Sequence, residues 1–427
     1  MSNSSSAVAT PPVLVPIVEQ HAEETLHLMV QRDHLLGAPG APWLAFERID
    51  ERLAAHVDGL RVAGDTGRAV SEALAAADEV PAVCRFAATV LALEAGDTAG
   101  VERLLARPGA DGGADAGALA ALGWVSPTFL RGIVAGWLGS NVPVRQRAAL
   151  AALSAHGADA GAALAGLIGA GPDDIAIAAM HSAVAAGRTD VQVAFHARSR
   201  GASGRVLFEA ARAAVLLGDR SWSLEALEHL AAETGTLAPL RLHLMALDVP
   251  HGMSRLKRLT GPRRDRLLVQ GSGIVGDPAL APWLLQKTSV PATARIAGEA
   301  LALIAGIDLS EAGLDQPRPR QSLVGPTDDP ADDDVDVDPD ETLPWPEPER
   351  LAAWWSQHGQ RLPSGARSFM GAPVSAAHAL AVLRTARQGA RLAAAEHLCL
   401  QNAGTPLFNT AAPAWRQRRR LAQAPAG

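Results

Sequence analysis

The sequence contains no tyrosine, two cysteines and two lysines, and only 4% of its 427 residues are aromatic. A β-rich protein would need more aromatic and β-branched residues, so this composition argues against one. Cys84 and Cys399 lie far apart, which excludes a disulfide framework and a cysteine-based metal motif. A chain of this length can bury a core without covalent staples.

Long apolar runs are also missing, and no stretch that is both uncharged and apolar approaches the roughly 18 residues that a membrane helix needs. Residues 1–12 are rich in Ser, Ala and Pro and carry no positive charge ahead of an apolar run, so no signal peptide is expected. The formal net charge of −7 gives no general attraction to nucleic acid or anionic lipid. We therefore expect a cytoplasmic protein without a membrane partner, and nucleic acid is an unfavoured partner.

Gly residues that end apolar helical runs recur at intervals of about 30 residues or twice that. They are Gly96, Gly157, Gly187, Gly218, Gly276 and Gly306. Three of them precede Asp, which fits a left-handed helix end followed by the cap of the next helix. Each interval has room for two helices that cannot bury their apolar faces alone, so neighbouring pairs must stack.

The fold class predicted from this pattern is all-α, an α-solenoid of HEAT-like helical hairpins with a period of about 30. Residues 143–153 and 293–301 resemble the short HEAT-like repeat, in which Arg precedes a helix of small residues and Leu. The predicted segments are a disordered N-terminus (1–14), an N-terminal helical cap (15–80), the repeat array (81–309), an acidic Pro-rich linker (310–346) and a small helical C-terminal module with a basic tail (347–427).

Two motifs imitate ligand sites without meeting their requirements. Residues 271–276 read G-x-G-x-x-G but lack the strand–helix context of a dinucleotide site, which favours helix packing. A second motif resembles the start of a calcium loop, but Pro339 and Trp345 replace its required Gly and Glu. Its acidic residues are Asp334, Asp336, Asp338 and Asp340. A solvated linker is expected there, with a weak divalent-ion or basic-partner site as the alternative.

The histidines give no metal signature, because none of the 13 belongs to a His-Glu dipeptide or an H-E-x-x-H frame. No P-loop or nucleophile elbow occurs either. We therefore assign no catalytic, cofactor-binding or metal-binding residue. A Ser-His-Asp or paired-carboxylate site stays open, because geometry rather than spacing defines it.

Two groups of residues are candidates for partner binding. A basic patch offers a partner surface or a docking site for the acidic linker, and nucleic acid remains an alternative. It comprises Arg255, Lys257, Arg258, Arg263, Arg264 and Arg266. Three indoles, Trp345, Trp354 and Trp355, are expected to dock the C-terminal module on the last repeats. Their alternative role is as hot spots for a partner.

Several longer strings resemble a bacterial family of uncharacterised HEAT-like proteins encoded near type VI secretion components. They occupy residues 18–24, 50–64, 295–300, 306–309, 343–346, 354–355, 404–408 and 412–419. The resemblance implies an accessory role beside spike, spike-tip and adaptor proteins, and it implies no catalytic residue.

The leading hypothesis is a non-catalytic scaffold, an adaptor or chaperone-like protein whose extended concave surface binds a secretion effector, adaptor or spike-tip protein. An immunity protein that neutralises a cognate toxin is the alternative among binding proteins. A HEAT-like enzyme acting on nucleic acid or protein is the alternative from another class. An enzyme would require a buried, strongly perturbed acid or His cluster lining the concave groove.

Overall fold

The computed structural model describes residues 13–77, 81–107, 116–202, 204–261, 264–319 and 338–424. These residues form 22 α-helices and only two short strand pairs, so the predicted all-α class is confirmed. The period of about 30 stays a prediction. Residues 1–12 of the predicted disordered N-terminus and residues 320–337 of the predicted linker lie outside the described residues. No helix of the described part is both long and apolar enough to cross a membrane.

The described chain divides into two compact units, and the first contains the residues up to Gly37, Leu44–His156 and Ala411–Arg416. Its helices are α1 (Val15–Gly37), α2 (Trp43–Val62), α3 (Asp65–Ala76), α4 (Arg85–Glu94), α5 (Thr98–Ala106), α6 (Ala116–Trp124), α7 (Ile133–Leu138) and α8 (Pro143–His156). Helices α1 and α3 pack on α4, and α6 contacts both α4 and α8. The boundary predicted at residue 80 therefore lies inside one core.

Residues 411–416 belong to the first unit and are held there by backbone and aromatic contacts. Arg416 donates hydrogen bonds to the carbonyls of Trp124 and Val125, at 3.3 and 3.1 Å. These carbonyls lie at the C-terminal end of α6, where no intrahelical donor is available. The ring of Trp415 meets that of Trp124 edge to face, with 4.5 Å between the centroids. Residues 411–416 thus complete the first unit.

The second unit contains residues 38–43, Gly157–Thr410 and the described residues from Gln417 onward. Its first helices are α9 (Ala163–Ala170), α10 (Asp173–Ala186), α11 (Gln192–Ser199), α12 (Gly204–Leu216), α13 (Trp222–Thr234), α14 (Leu237–Ala246), α15 (Val249–Lys257), α16 (Arg264–Val275), α17 (Ala281–Lys287) and α18 (Ala294–Ala305). The even-numbered helices from α10 to α18 pack side by side in chain order, and we call them the helix row. The odd-numbered helices lie against members of this row, which gives two layers.

The C-terminal part adds α19 (Pro348–His358), α20 (Ala376–Thr385), α21 (Gln388–Gln401) and α22 (Ala414–Gln423). Two antiparallel pairs of two-residue strands accompany these helices: β1 (Asp315–Gln316) with β2 (Trp345–Pro346), and β3 (Ser368–Phe369) with β4 (Ala372–Pro373). The first pair holds both described ends of the predicted acidic linker in the second unit.

Two of the predicted helix-ending glycines are required by conformation and by close approach of the backbone. Gly187 and Gly306 have φ angles of 71° and 70° at the ends of α10 and α18. A Cβ at Gly187 would lie 2.2 Å from the carbonyl oxygen of Gly404, and one at Gly306 would lie 2.4 Å from that of Met370. Only glycine therefore lets the C-terminal segments reach these helix ends.

The C-terminal segments of the second unit run past the ends of the helix row. Arg367 donates hydrogen bonds to the carbonyls of Leu244 and Met245 at the end of α14, at 2.7 and 2.6 Å. Met370 donates its N–H to the carbonyl of Leu303 in α18 at 2.6 Å. Helix α21 packs on α12 and α14. The chain itself thus covers part of the helix row.

The G-x-G-x-x-G segment is a packing feature of α16, as predicted. A Cβ at Gly271 would lie 2.5 Å from a methyl carbon of Leu256, and one at Gly273 would lie 2.8 Å from the Cα of Ala300. The missing side chains let α16 approach α15 and α18 closely. No strand of the described part precedes this helix, so the arrangement differs from that of a dinucleotide site.

Candidate functional site

A cavity of about 370 Å³ lies in the second unit, between the helix row and the C-terminal segments. Helices α14, α16 and α18 supply one wall, and α21, β3 and residues 339–343 supply the other. Much of the cavity lining is apolar. Its larger apolar side chains are those of Leu237, Met245, Ile274, Ile296, Leu303, Leu343, Phe369 and Leu392. A cleft of this size with a few convergent polar groups is a default candidate for ligand binding.

Two arginines line the cavity, and each is bound by a carboxylate of the same chain. Arg241 on α14 forms a forked pair with Glu396 on α21, with 2.9 Å between Nη2 and Oε1. Arg266 on α16 forms a second forked pair with Asp340, at 2.5 and 2.8 Å. A forked pair satisfies the geometry and the charge of both groups. Neither guanidinium therefore brings an unbalanced charge to the cavity.

Glu299 on α18 faces the cavity and makes no hydrogen bond or ion pair with any residue that the structure describes. Nearby protein atoms raise the pKa of Glu299 above the ordinary value of 4.5, although the side chain is exposed to solvent. The positive charge of Arg387 opposes this shift without reversing it, and Arg387 itself pairs with Asp308. Glu299 is thus a solvent-exposed acid on the cavity wall.

The variant Glu299→Gln is expected to be more stable than the wild type at neutral pH. The folded chain holds the Glu299 proton more tightly than the unfolded chain does, so the free energy of unfolding falls as the pH rises above 4.5. Glutamine does not ionise and avoids this loss. Thermal melts should show a higher Tm for the variant at neutral pH and a smaller gain below pH 4.5.

The matched variant Glu225→Gln removes an exposed carboxylate on α13, away from the cavity, and should show no such pH-dependent gain. A Tm difference for Glu299→Gln that stays constant from acidic to neutral pH would contradict the raised pKa of Glu299.

His397 on α21 lines the same cavity and is neutral. Burial, together with the positive charges of Arg367 and Arg241, lowers the pKa of His397 to about 3. Its ring centroid lies 4.9 Å from that of Phe369. An imidazole with so low a pKa is a weak base and carries no proton to donate as an acid near neutral pH. The side chain is therefore a polar but uncharged part of the wall.

The cavity wall offers little for nucleophilic catalysis. Ser368 donates its hydroxyl to the carbonyl of Ile304 at 2.8 Å, so a backbone acceptor rather than a base such as His397 holds that proton. Within the described ranges, no three His, Cys, Asp or Glu side chains come together as a metal site. Two groups with shifted pKa values line the cavity wall, Glu299 with a raised pKa and His397 with a lowered one.

Both cysteine thiols are expected to resist modification in the folded protein. Cys84 and Cys399 are both buried, and burial raises the pKa of the Cys399 thiol to about 12. Because the thiolate is the reactive form, a chromogenic disulfide reagent should find no fast thiol under native conditions and two after unfolding in denaturant. One rapidly reacting equivalent in the native protein would show that a thiol is accessible.

Comparisons with known proteins leave the ligand of this cavity open. No protein-family model, curated protein or solved structure matches the chain. The resemblance to a secretion-associated family therefore stays a prediction.

The three indoles singled out in the sequence make interior contacts in the second unit. Trp345 in β2 is buried, and the guanidinium of Arg295 lies over its ring at 4.8 Å. Trp354 and Trp355 on α19 are half-buried and pack against the core that α17 and α18 share. Trp354 also stacks on His358, with 4.6 Å between the centroids. These contacts agree with the docking role, and a partner role for the indoles stays a prediction.

The basic patch does not form one continuous surface. Arg255 is buried and lies 3.3 Å from Glu228, which also pairs with exposed Arg258 at 3.1 Å. Lys257 and Arg264 are exposed, whereas Arg263 lies outside the described residues. Arg266 is the member that reaches the cavity, through its pair with Asp340. The patch is thus divided among surface, interior and cavity.

The expectation of a solvated acidic segment is wrong for its last two carboxylates. Asp338 is buried and accepts hydrogen bonds from Arg295 at 2.7 Å, and Arg318 lies 3.6 Å away. Asp340 is also buried and pairs with Arg266, one of the docking contacts considered for the basic patch. A buried carboxylate is stabilised by a nearby positive charge, and the guanidinium groups supply that charge here. Asp334 and Asp336 lie outside the described residues.

Sequence reasoning missed the polar groups of the cavity because their partners are distant in the chain. Arg241 and Glu396 are 155 positions apart, and nothing local marks them as a pair. Glu396 and His397 adjoin in the order opposite to a His-Glu dipeptide, so no metal motif marks them. One feature of the sequence did point to the cavity. Glu299 is the single acidic residue within the otherwise mostly apolar α18.

Proposed function

We propose that this chain is a non-catalytic protein-binding scaffold of the adaptor or chaperone kind, and that its cavity receives a short segment of the partner protein. The proposal is based on the cavity. Its walls are largely apolar, and its two arginines are already paired with carboxylates of the same chain. Its volume of about 370 Å³ suits a few side chains rather than a folded domain. Insertion of an anchoring segment into such a pocket is how binding energy is concentrated at protein interfaces.

The rigidity of the walls further supports a binding role. The forked pair of Arg241 and Glu396 joins α14 to α21, and the pair of Arg266 and Asp340 joins α16 to the segment before β2. These ion pairs connect opposite walls and fix the cavity before a ligand arrives. A preorganised site loses less conformational entropy on binding than a site that must first be ordered.

The setting of the proposal rests on the sequence resemblance. Strings such as residues 343–346 and 412–419 resemble proteins encoded near type VI secretion components. The partner in this proposal is accordingly a secretion effector, an adaptor or a spike-tip protein, held in the cytoplasm before secretion.

The experiment that tests the proposal blocks the cavity from within. A random peptide library displayed on phage is selected on the full chain, and the selected peptides are titrated calorimetrically into wild type and Ala393→Phe. Ala393 on α21 lines the cavity, so a phenyl ring there fills part of the volume. We expect binding to weaken by about tenfold or more, since displaced apolar contacts are worth a kcal/mol or more.

The control is Ala377→Phe, which adds the same ring at an exposed position on α20. It should leave the affinity unchanged, and thermal melts should show both variants folded. Selected peptides that bind Ala393→Phe as tightly as the wild type would contradict the cavity as the binding site.

A further inference from the structure

One buried polar side chain of the cavity wall lacks a hydrogen-bond partner. His397 on α21 is 4% exposed and lines the cavity beside Phe369. Its ring makes no hydrogen bond with any residue that the structure describes. A neutral imidazole carries one N–H donor and one acceptor nitrogen, and a buried polar group without a partner is destabilising. A ligand that hydrogen-bonds to this ring would therefore gain affinity.

The other polar side chains of the wall do not share this property. Ser368 and Asp340 are also buried, but Ser368 donates its hydroxyl to a backbone carbonyl and Asp340 is held in its forked ion pair. Gln270 is half-buried, and Glu299 and Thr342 are exposed, so water reaches all three. His397 is thus the buried position at which this cavity can recognise a polar group of a ligand.

The surroundings of His397 favour a neutral ligand over a charged one. Burial and the positive charges of Arg367 and Arg241 keep the imidazole uncharged, with a pKa of about 3. Arg241 is already bound by Glu396, and Arg367 donates to carbonyls at the ends of α14 and α16. Neither guanidinium is free to receive an anion, and both repel a cation. The group that meets His397 is therefore uncharged.

The lining beside His397 favours an aromatic ligand over an aliphatic one. The ring of Phe369 also lines the cavity, and its centroid lies 4.9 Å from that of the imidazole. Aromatic rings that pack at such distances gain stabilisation beyond the area they bury. A ring without a polar group would cover His397 and leave it unsatisfied. The complement of this wall is thus an aromatic ring with an uncharged hydrogen-bonding group.

We propose that the cavity recognises a phenol group, whose ring packs on the apolar wall and whose hydroxyl hydrogen-bonds to His397. A hydroxyl both donates and accepts, so it pairs with whichever ring nitrogen of His397 faces the cavity. A tyrosine side chain has this chemistry, and so does a free phenol. The proposal deepens the function proposed above, because it rests on the cavity being the binding site and names the side chain that anchors the partner.

The test compares p-cresol, the side-chain fragment of tyrosine, with toluene, the fragment of phenylalanine. Dissociation constants for the full chain are measured by ligand-observed NMR titration. We expect the wild type to prefer p-cresol and His397→Leu to prefer toluene, with the ratio of the two constants changing by about tenfold. His397→Gln keeps a donor and an acceptor and should retain part of the preference for p-cresol.

The control is His229→Leu, at an exposed position on α13 away from the cavity, which should match the wild type with both probes. Thermal melts establish that each variant is folded, and the preference of the wild type itself needs no variant. A wild type that prefers toluene, a ratio that is unchanged in His397→Leu, or no binding of p-cresol would overturn the inference.

A second arm separates this failure from failure of the proposed function. Each selected peptide that contains tyrosine is remade with phenylalanine, which keeps the ring and removes the hydroxyl. Peptides that lose affinity in Ala393→Phe but tolerate this replacement would preserve the scaffold function and reject recognition of the phenol. Binding of p-cresol that depends on His397, without any peptide binding in the cavity, would reject the peptide-binding function and keep the phenol site.

Discussion

Replacing Asp50 with alanine should lower the free energy of unfolding of the first unit by about 3–5 kcal/mol. Asp50 is 0% exposed, accepts a hydrogen bond from Arg32 Nε at 2.7 Å and accepts another from the Ala414 N–H at 2.7 Å. Burial raises the pKa of Asp50, while the charge and hydrogen bond of Arg32 oppose that rise. The carboxylate thus joins α1, α2 and the segment 411–416. Its removal leaves the nearly buried guanidinium of Arg32 without its carboxylate partner.

Denaturant unfolding measured by circular dichroism gives the free-energy change for Asp50→Ala. The matched control is Asp65→Ala, because the Asp65–Arg68 pair lies at the surface of the same unit. That control should lower the free energy of unfolding by less than about 1 kcal/mol, as expected for an exposed ion pair. Similar losses for the two variants would show that the buried carboxylate has no special structural role.

The variant Arg391→Ala should lower the free energy of unfolding of the second unit by a similar amount, about 3–5 kcal/mol. Arg391 is 0% exposed, and its guanidinium donates to the carbonyl of Leu383 at 2.8 Å and to the side-chain oxygen of Gln417 at 2.5 Å. It also lies 3.9 Å from the ring centroid of Trp43. Alanine removes these hydrogen bonds, leaves their acceptors unsatisfied and opens a cavity where the stem was packed.

Arg391→Lys separates charge from geometry, because an ammonium group cannot reproduce the planar set of donors. We expect it to recover only part of the loss in denaturant unfolding. Arg419→Ala, at an exposed position on α22, serves as the control and should change stability little. A lysine variant as stable as the wild type would show that charge alone, without the forked geometry, holds the helices together.

The sequence was sufficient for the class of fold, because helix-forming composition and helix-ending glycines act locally. Gly276 has a φ of 72°, and the following Asp277 accepts a hydrogen bond from the Ala279 N–H, as the Gly-Asp pattern predicts. The same glycine also allows the backbone of Ser368 to approach, since a Cβ would lie 2.4 Å from its carbonyl oxygen. The first role follows from neighbouring residues, whereas the second depends on a segment about 90 residues away.

The candidate site could not be predicted from the sequence for the same reason. The acidic residues Asp338 and Asp340 have the composition of a solvated linker, and only the folded chain brings Arg295 and Arg266 to them. Glu299 becomes part of the cavity wall only when α21 and the segment before β2 pack opposite α18. Shifted pKa values and ion pairs between distant residues arise from tertiary packing, so no local sequence pattern reveals them.

The most direct test of the proposed binding function is a crystal structure of the full chain with a selected peptide. We expect peptide density in the cavity between α18 and α21. A peptide bound elsewhere on the chain, with the cavity unchanged, would contradict the claim that this cavity is the binding site.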